Sequence, residues 1–172
     1  SKIKYIPEDY YKKANRGKIK LNDILVVKDG ATIGKVSRVT KFFPFKKAMV
    51  NEHVFIIRTN PKILDQSFFY YKLFSREGGE IIKSNISGSA QGGLKKDFLD
   101  YWEISLPLLD EQRKIASILS AFDEKIELNN KIIKILEEMA QAIFKEWLLQ
   151  NQKSNIKNQK LSGWKNGRSE ER

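Results

Sequence analysis

The first part of the chain alternates short apolar runs with turn residues, a pattern typical of β-strands. Three such runs are predicted as strands: Asp23–Val27 (DILVV), Thr32–Val39 (TIGKVSRV) and His53–Thr59 (HVFIIRT). Asp29-Gly30 is a strong turn signal between the first two, and Asn60-Pro61 closes the third. A later run, DYWEISLP at 100–107, predicts a further strand that stops at Pro107.

Residues 65–84 (DQSFFYYKLFSREGGEIIKS) depart from the strand pattern. They predict a helix from about Asp65, broken at Gly78-Gly79, with a short helical piece up to Ser84. Strands and helices in this order predict an α+β domain that covers residues 1–109.

From Asp110 to Gln150 the chain contains neither glycine nor proline, so this stretch predicts one long helix with Asp110 at its N-cap. Nine of ten positions spaced alternately by four and three residues are apolar, which is the spacing of a coiled-coil seam. The ten predicted seam positions are Ile115, Leu119, Phe122, Ile126, Asn129, Ile133, Leu136, Ala140, Ile143 and Trp147.

A helix of this length would measure about 60 Å, more than a small domain can cover, so it needs a second helix. Ile118, Ile132, Ile135 and Met139 broaden the apolar face beyond a minimal seam. Asn129 is either a surface residue or a polar seam residue that fixes register and orientation. Residues 151–172 are polar and basic, which predicts a flexible tail.

The net charge of +11 is unevenly distributed. Residues 1–109 carry +9, residues 110–150 carry −2 and residues 151–172 carry +4. A basic domain joined to a nearly neutral helix predicts a polyanion-binding head and a protein-binding arm. The alternative is that the charge reflects a generally basic proteome.

The compartment is constrained only weakly. The chain has no cysteine, its N-terminus lacks the apolar segment of a signal peptide, and no apolar run reaches the roughly 18 residues of a membrane span. We therefore expect a cytoplasmic protein without membrane contact.

Few residues are suited to catalysis. A single histidine, His53, and no cysteine leave no His-based metal cluster and no Cys–His nucleophile within the chain. The glycine-rich stretches GATIGK (30–35) and GSAQGG (88–93) do not match the patterns of phosphate-binding loops. We therefore expect a non-catalytic chain without a bound metal or cofactor, in which His53 packs or hydrogen-bonds locally.

Two stretches predict contact with DNA. The stretch between Asp29 and Glu52 has several cations, no acidic residue and three phenylalanines, Phe42, Phe43 and Phe45, which we expect in the core. The second, NISGSAQGGLKK (85–96), offers hydrogen-bonding side chains and two lysines. The alternative is that both are solvated loops. The predicted contacts are Lys28, Arg38, Lys41, Lys46, Lys47, Ser87, Ser89, Gln91, Lys95 and Lys96.

Three stretches follow one another in a distinctive order. NDILVVKDGATIGKVSRV comes first, NEHVFIIR second, and a long block from SGSAQGGLKK through LPLLDEQRKIASIL to AQAIFKEWL third. Their order resembles the specificity (S) subunit of type I restriction-modification enzymes, and the resemblance covers residues 5–149.

The resemblance implies a target-recognition domain that reads one half of a split DNA sequence, followed by a helix that pairs antiparallel with another and sets the half-site spacing. The subunit itself does no chemistry. Partner subunits use S-adenosylmethionine, ATP and Mg²⁺ for modification and restriction. Implied partners are double-stranded DNA, the modification and restriction subunits, and another copy of the helix.

The resemblance also implies a truncated or half-length form, because residues that usually precede the recognition domain are missing and LSGWKNGR near the end resembles the entry to a following domain. The alternative function is a scaffold fragment that no longer reads DNA and docks onto modification subunits or a full-length S subunit.

Overall fold

The structure is a computed structural model that describes residues 4–87, 92–100 and 102–166, with side chains described up to residue 149. It forms two compact units, and the first ends at Asp123. The fold is α+β, as the sequence predicts. No helix in the described part of the chain is long and apolar enough to cross a membrane.

A three-stranded antiparallel sheet lies in the first unit, with β1 in the middle and β2 and β3 at its edges. All three predicted strands are confirmed, each within shorter bounds. They are β1 (Ile24–Val27), β2 (Val36–Arg38) and β3 (Val54–Ile57). In the register, Ile24 lies opposite both Arg38 and Ile57, and Val27 lies opposite Val54.

This register gives the sheet two ends, which we call the Ile24 end and the Val27 end. At the Ile24 end, the Arg58 guanidinium donates to both carboxylate oxygens of the buried Asp23, at 2.6 and 2.7 Å. This two-point pairing joins the start of β1 to the exit of β3. At the Val27 end, the Leu94 amide donates to the Lys28 carbonyl at 2.7 Å.

Two short helices, α2 (Gln66–Phe74) and α3 (Arg76–Ser84), follow the sheet, and α1 (Glu8–Lys13) precedes it. Asp65 caps α2 because its carboxylate accepts from the Ser67 and Phe68 amides. The predicted break at Gly78-Gly79 is wrong, since the chain turns at Ser75 and both glycines lie inside α3.

The position of the break follows from capping and close packing. The Ser75 side chain accepts from the Gly78 amide and so starts α3. A Cβ at Gly78 would collide with the carbonyl oxygens of Lys72 and Leu73. Glycine therefore allows α3 to begin directly against the end of α2, at the usual helical cost of about 1 kcal/mol.

The core forms where β1 meets α2, α3 and the segment after residue 92. Alternate residues of β1, Ile24 and Val26, point into it, and each fully buried aliphatic side chain contributes about 1.5–3 kcal/mol. The buried cluster consists of Ile24, Val26, Phe69, Leu73, Ile82, Leu94 and Phe98.

The predicted strand at DYWEISLP is wrong, because residues 102–108 form neither helix nor strand. Trp102 and Ile104 pack against the core while Glu103 and Ser105 face solvent. The side chains therefore alternate as in a strand, but the backbone joins no sheet ladder. The indole of Trp102 instead donates to Glu77 on α3 at 3.1 Å.

The long helix α4 spans Leu109–Asn166. Asp110 is therefore in its first turn rather than at its N-cap, and it contacts Arg113 at 3.3 Å. The helical backbone continues through 151–166, where the sequence predicts a flexible tail. The chain has no proline after Pro107, and Gly163 is the first glycine of α4, so nothing stops the helix at residue 150.

Candidate nucleic-acid interface

The predicted DNA contacts fall into two groups at opposite ends of β1. Lys28, Ser87, Lys95 and Lys96 belong to the Val27 end, where residues 93 and 94 bond to residues 28 and 29. Arg38 ends β2 at the Ile24 end, and the loop with the remaining three lysines follows it. The eight predicted contacts that the structure describes therefore do not form one cluster.

At the Val27 end, two hydrogen bonds close the base of the second predicted loop. Ser87 donates to the Gly93 carbonyl through its amide and its hydroxyl, both at 3.2 Å. Ile86 and Leu94 form an antiparallel bridge beside this contact. Ser89 and Gln91, the other two predicted contacts of this loop, lie outside the described residues.

Two lysines flank that base and point into solvent. Leu94 and Phe98 are buried in the core, and the intervening Lys95 and Lys96 are exposed. Lys28, directly after β1, is half-buried. Exposed cations on a loop anchored to the core are suited to binding phosphates, because the anchor fixes their position.

His53 lies in the turn before β3, at the same end of the sheet. Its Nδ1 is 2.6 Å from Asp29 Oδ1, and its carbonyl accepts from the Lys28 amide at 2.8 Å. The prediction of local hydrogen bonding is confirmed. His53 and Asp29 hold the chain where β1 passes into its turn.

The stretch GATIGK forms the connection between β1 and β2. Gly30 and Gly34 both have positive φ, at 89° and 79°, and the Gly34 amide donates to the Val27 carbonyl at 2.8 Å. Glycine tolerates this left-handed backbone.

Among the described residues, no three histidine or acidic side chains lie close enough together to hold a metal ion.

At the Ile24 end, Arg38 is turned away from solvent, with a side chain only 7% exposed. Its guanidinium donates to the Tyr71 hydroxyl at 3.2 Å and to Ser120 Oγ on α4 at 3.4 Å. It also lies 3.7 Å from an Asp123 carboxylate oxygen, and 4.9 and 5.3 Å from the ring centres of Tyr70 and Tyr71.

Tyr71 connects the members of this cluster. Its hydroxyl donates to Asp123 Oδ2 at 2.7 Å and lies 3.2 Å from Ser120 Oγ. Burial raises the pKa of the Tyr71 hydroxyl above its usual 10.0, and the hydrogen bond to Asp123 also raises it. The hydroxyl therefore keeps its proton at neutral pH and remains a donor to the carboxylate.

The loop 41–47 (KFFPFKK) places the remaining lysines at the surface. Lys46 and Lys47 are exposed, and Lys47 Nζ lies 2.7 Å from Glu8 Oε1. The hydrogen bond from Lys47 lowers the pKa of Glu8. The ammonium of Lys41 lies 5.4 Å from the ring centre of Phe42.

The prediction that all three phenylalanines lie in the core is wrong. Phe42 is half-buried, but Phe43 and Phe45 are 37% and 36% exposed. The two exposed rings contact each other edge to face, with centres 5.6 Å apart. Neither belongs to the buried cluster, because the core space above β1 is already filled by residues of α2, α3 and the 94–98 segment.

The first turns of α4 contact the rest of the first unit through a polar flank. Gln112 is 1% exposed; its amide donates to the carbonyls of Ile63 and Pro107, and its oxygen accepts from the Asp65 amide. Further along, Ala116 is buried, and Ser120 and Asp123 contact Arg38. The sequence prediction did not include Gln112 as a buried contact. Its position could have indicated one, because Gln112 lies seven residues before Leu119 and is therefore a polar residue at a heptad position.

All ten predicted seam positions are exposed in the described chain. Ala116, Ser120 and Asp123 each lie one residue after a seam position, so the flank that packs is next to the seam and not on it. In the second unit, Phe144 and Trp147 contact each other on the same helix, with ring centres 6.1 Å apart. Among the residues whose side chains the structure describes, the seam positions are therefore exposed to solvent.

Comparison with known proteins gives a family match. Residues 3–138 match the type I restriction modification DNA specificity domain. The chain is 31% identical over 125 residues to the type I restriction enzyme MjaVIII specificity subunit of Methanocaldococcus jannaschii. The aligned residues make up 73% of this chain and 28% of that subunit.

Two further relatives have the same description. The HindI specificity subunit of Haemophilus influenzae is 32% identical over 66% of this chain and 25% of its own length. The MjaIX specificity subunit of Methanocaldococcus jannaschii is 38% identical over 48% of this chain and 19% of its own length. The chain thus spans about a quarter of the length of these relatives. Since the match to the domain covers most of the length of this chain, the chain belongs to the type I restriction modification DNA specificity domain family.

Proposed function

We propose that this chain recognises DNA sequence in a type I restriction-modification system and reads one half of a split target. The observation that carries the proposal is the Val27 end, where Lys95 and Lys96 are exposed beside a loop whose base is closed by Ser87 and Gly93. The charge of +9 on residues 1–109 and the family membership support it.

In this proposal the chain works in the cytoplasm and performs no chemistry. The modification subunits supply adenine methylation with S-adenosylmethionine, and the restriction subunit uses ATP and Mg²⁺. The chain scaffolds both kinds of subunit on the DNA. The exposed seam of α4 supports a protein-binding role, because an uncovered apolar stripe of this length gains free energy when another helix covers it.

The seam further supports self-association. Two copies paired antiparallel would present two identical heads, and such a dimer would read an inverted repeat with a fixed spacer.

The first test is selection of duplexes from a randomised pool with the purified chain, followed by affinity measurements at several salt concentrations. We expect enrichment of a defined sequence. Lys95→Ala and Lys96→Ala should each weaken binding and lower the slope of log affinity against log salt by about one, because each removes one phosphate contact. Lys145→Ala on α4 is the matched control and should leave both quantities unchanged.

A scaffold that does not read DNA is the second candidate, and the exposed seam favours it equally. If the selection enriches no sequence and the chain binds every duplex with equal affinity, the recognition proposal is overturned and the scaffold proposal remains. Capture of a DNA methyltransferase subunit by the chain would then support the scaffold directly.

A further inference from the structure

The proposed function leaves the loop 41–47, which we call the phenylalanine loop, without a role for its aromatic residues. Phe43 and Phe45 form an edge-to-face pair with more than a third of each side chain exposed. Removing aromatic surface from water is favourable, and this exposed pair leaves that free energy unused. A binding partner that covers both rings would recover it.

The phenylalanine loop is held firmly at both ends. The Val39 amide before it donates to the Asp23 carbonyl at 3.0 Å, and the Ala48 carbonyl after it accepts from the Ile19 amide at 3.2 Å. Within it, Pro44 restricts the backbone between the two rings. The pair is therefore presented on an anchored turn, which lowers the entropy lost when it binds.

The positive charge around the two rings indicates an anionic partner. Five cations and no acidic residue lie between Asp29 and Glu52. Lys46 follows Phe45 directly, is exposed and makes no ion pair with any residue in the described ranges. Lys47, the next residue, is paired with Glu8. Aromatic rings next to an uncompensated cation fit a polyanion with stacked, apolar bases.

Phe74 at the end of α2 provides a contrast within the same chain. It is 66% exposed, more than either phenylalanine of the loop, and it stacks on Tyr70. Near it in the sequence, Lys72 pairs with Glu77 and Arg76 pairs with Glu80. The two basic residues nearest Phe74 in the sequence are therefore paired, unlike Lys46, and Phe74 serves as a control for the exposure of an aromatic ring.

We propose that the phenylalanine loop is a wedge that deforms DNA: Phe43 and Phe45 enter a partly unstacked base-pair step while Lys46 binds a flanking phosphate. This inference rests on the proposed function and adds a second contact, at the Ile24 end of the sheet. Unstacking a step costs a few kcal/mol, which is offset by the contacts that the bent duplex makes. The wedge favours pyrimidine–purine steps, which unstack most easily.

The test compares the double variant Phe43→Ala/Phe45→Ala with Phe74→Ala, using the full chain and the duplex enriched by selection. The loop variant should lose about tenfold to a hundredfold in affinity, in line with the usual loss when an aromatic contact to a base is removed. Its salt slope should stay unchanged, because no phosphate contact is removed. Phe74→Ala should bind like the wild type.

A fluorescence readout distinguishes insertion from surface contact. A 2-aminopurine placed at the deformed step should brighten when the wild-type chain binds, and it should stay dark with the loop variant. Phe43→Leu/Phe45→Leu keeps an apolar wedge and should restore most of the affinity and the signal. Thermal unfolding of each variant should match the wild type, since both rings lie outside the core.

Three outcomes would overturn the wedge, and they separate it from the proposed function. A wild-type chain that binds no duplex overturns both proposals. Equal affinity and equal 2-aminopurine signal in wild type and loop variant overturn the wedge and leave sequence recognition intact. A loop variant that keeps its DNA affinity and loses capture of a methyltransferase subunit assigns the rings to a protein contact.

Discussion

At the scale of single residues, Arg38 has the contacts of a structural residue. Its guanidinium lies against the rings of Tyr70 and Tyr71, donates to the Tyr71 hydroxyl, and approaches Asp123 on α4. Burying a charge costs several kcal/mol, which the ion pair, hydrogen bonds and cation–π contacts offset. Arg38 therefore fixes the first turns of α4 to α2 and β2.

Arg38→Met should lower the free energy of unfolding by about 2 kcal/mol, because it removes the charge-assisted hydrogen bonds that Tyr71 and Ser120 accept from the guanidinium. Asp123 keeps its hydrogen bond from Tyr71 and is partly exposed, which limits the loss. Urea denaturation followed by circular dichroism measures the change.

Arg76→Met is the matched control for Arg38→Met. The Arg76 side chain is exposed and pairs with Glu80 one turn along α3, so its loss should change stability by less than about 0.5 kcal/mol. Equal effects of the two substitutions would show that the Arg38 cluster adds nothing to stability.

Residue positions in the candidate site were the hardest feature to predict from the sequence. Arg38 looks like any other cation in a basic stretch, and its burial depends on Ser120, which lies 82 positions later. Phe43 and Phe45 look like core residues because the local sequence shows that they are apolar but does not show whether they are buried. Whether room remains in the core depends on which other segments fill it.

At the scale of elements, α4 has two different sides. A flank with Ala116, Ser120 and Asp123 packs within the first unit, and the neighbouring seam is uncovered. Packing on the flank leaves Ile115 and Leu119 exposed at the surface. The contacts of α4 with the first unit therefore do not use these two seam residues, and the proposed pairing with another helix would not compete with them.

Asn129→Leu should strengthen self-association of the chain, because an amide in an apolar seam costs about 1–3 kcal/mol when it is imperfectly paired. The helix orientation should become mixed at the same time. Sedimentation equilibrium measures the affinity. Since the chain has no cysteine, a spin label on Cys in Lys145→Cys reports orientation, with a long distance for antiparallel and a short one for parallel pairing.

Gln141→Leu, on the outer side of the helix, is the control for Asn129→Leu and should leave the affinity unchanged. An Asn129→Leu chain with the same affinity and a single antiparallel distance would show that Asn129 lies outside the seam.

Elements with a strong local pattern were predicted well. The three strands and α4 follow from alternation and from a long stretch without helix breakers. The failures arise where a tertiary contact overrides local preference. Residues 102–108 alternate like a strand but find no neighbouring strand, and Gly78 sits inside α3 because two helices approach closely there.

At the scale of the whole molecule, charge and apolar surface are divided between different parts of the chain. Residues 1–109 carry +9 and contain nine of the ten buried hydrophobic residues described, whereas residues 110–150 carry −2 and expose an apolar seam. The first combination suits DNA and the second suits another helix. We therefore expect that substitutions can remove the proposed DNA recognition and the proposed self-association separately.

Such a separation leads to a prediction about spacing. Two inverted copies of the selected half-site should bind the wild-type chain best at one spacer length, because a paired helix holds two heads at a fixed distance. Linking two sites raises the effective concentration, so the preferred spacer should bind at least roughly a hundredfold more tightly than a single half-site. Gel-shift titrations over a series of spacers, at constant salt, measure this preference.

Ile126→Lys/Ile133→Lys places two charges in the seam and should yield monomers that bind a single half-site with wild-type affinity and show no spacer preference. Gln141→Lys adds a charge on the outer side of α4 and should keep both the dimer and the preference. A wild-type chain whose affinity is flat across all spacers would contradict paired recognition. If the seam variant also lost affinity for the single half-site, α4 itself would contribute to DNA binding, and recognition and assembly would not be separable.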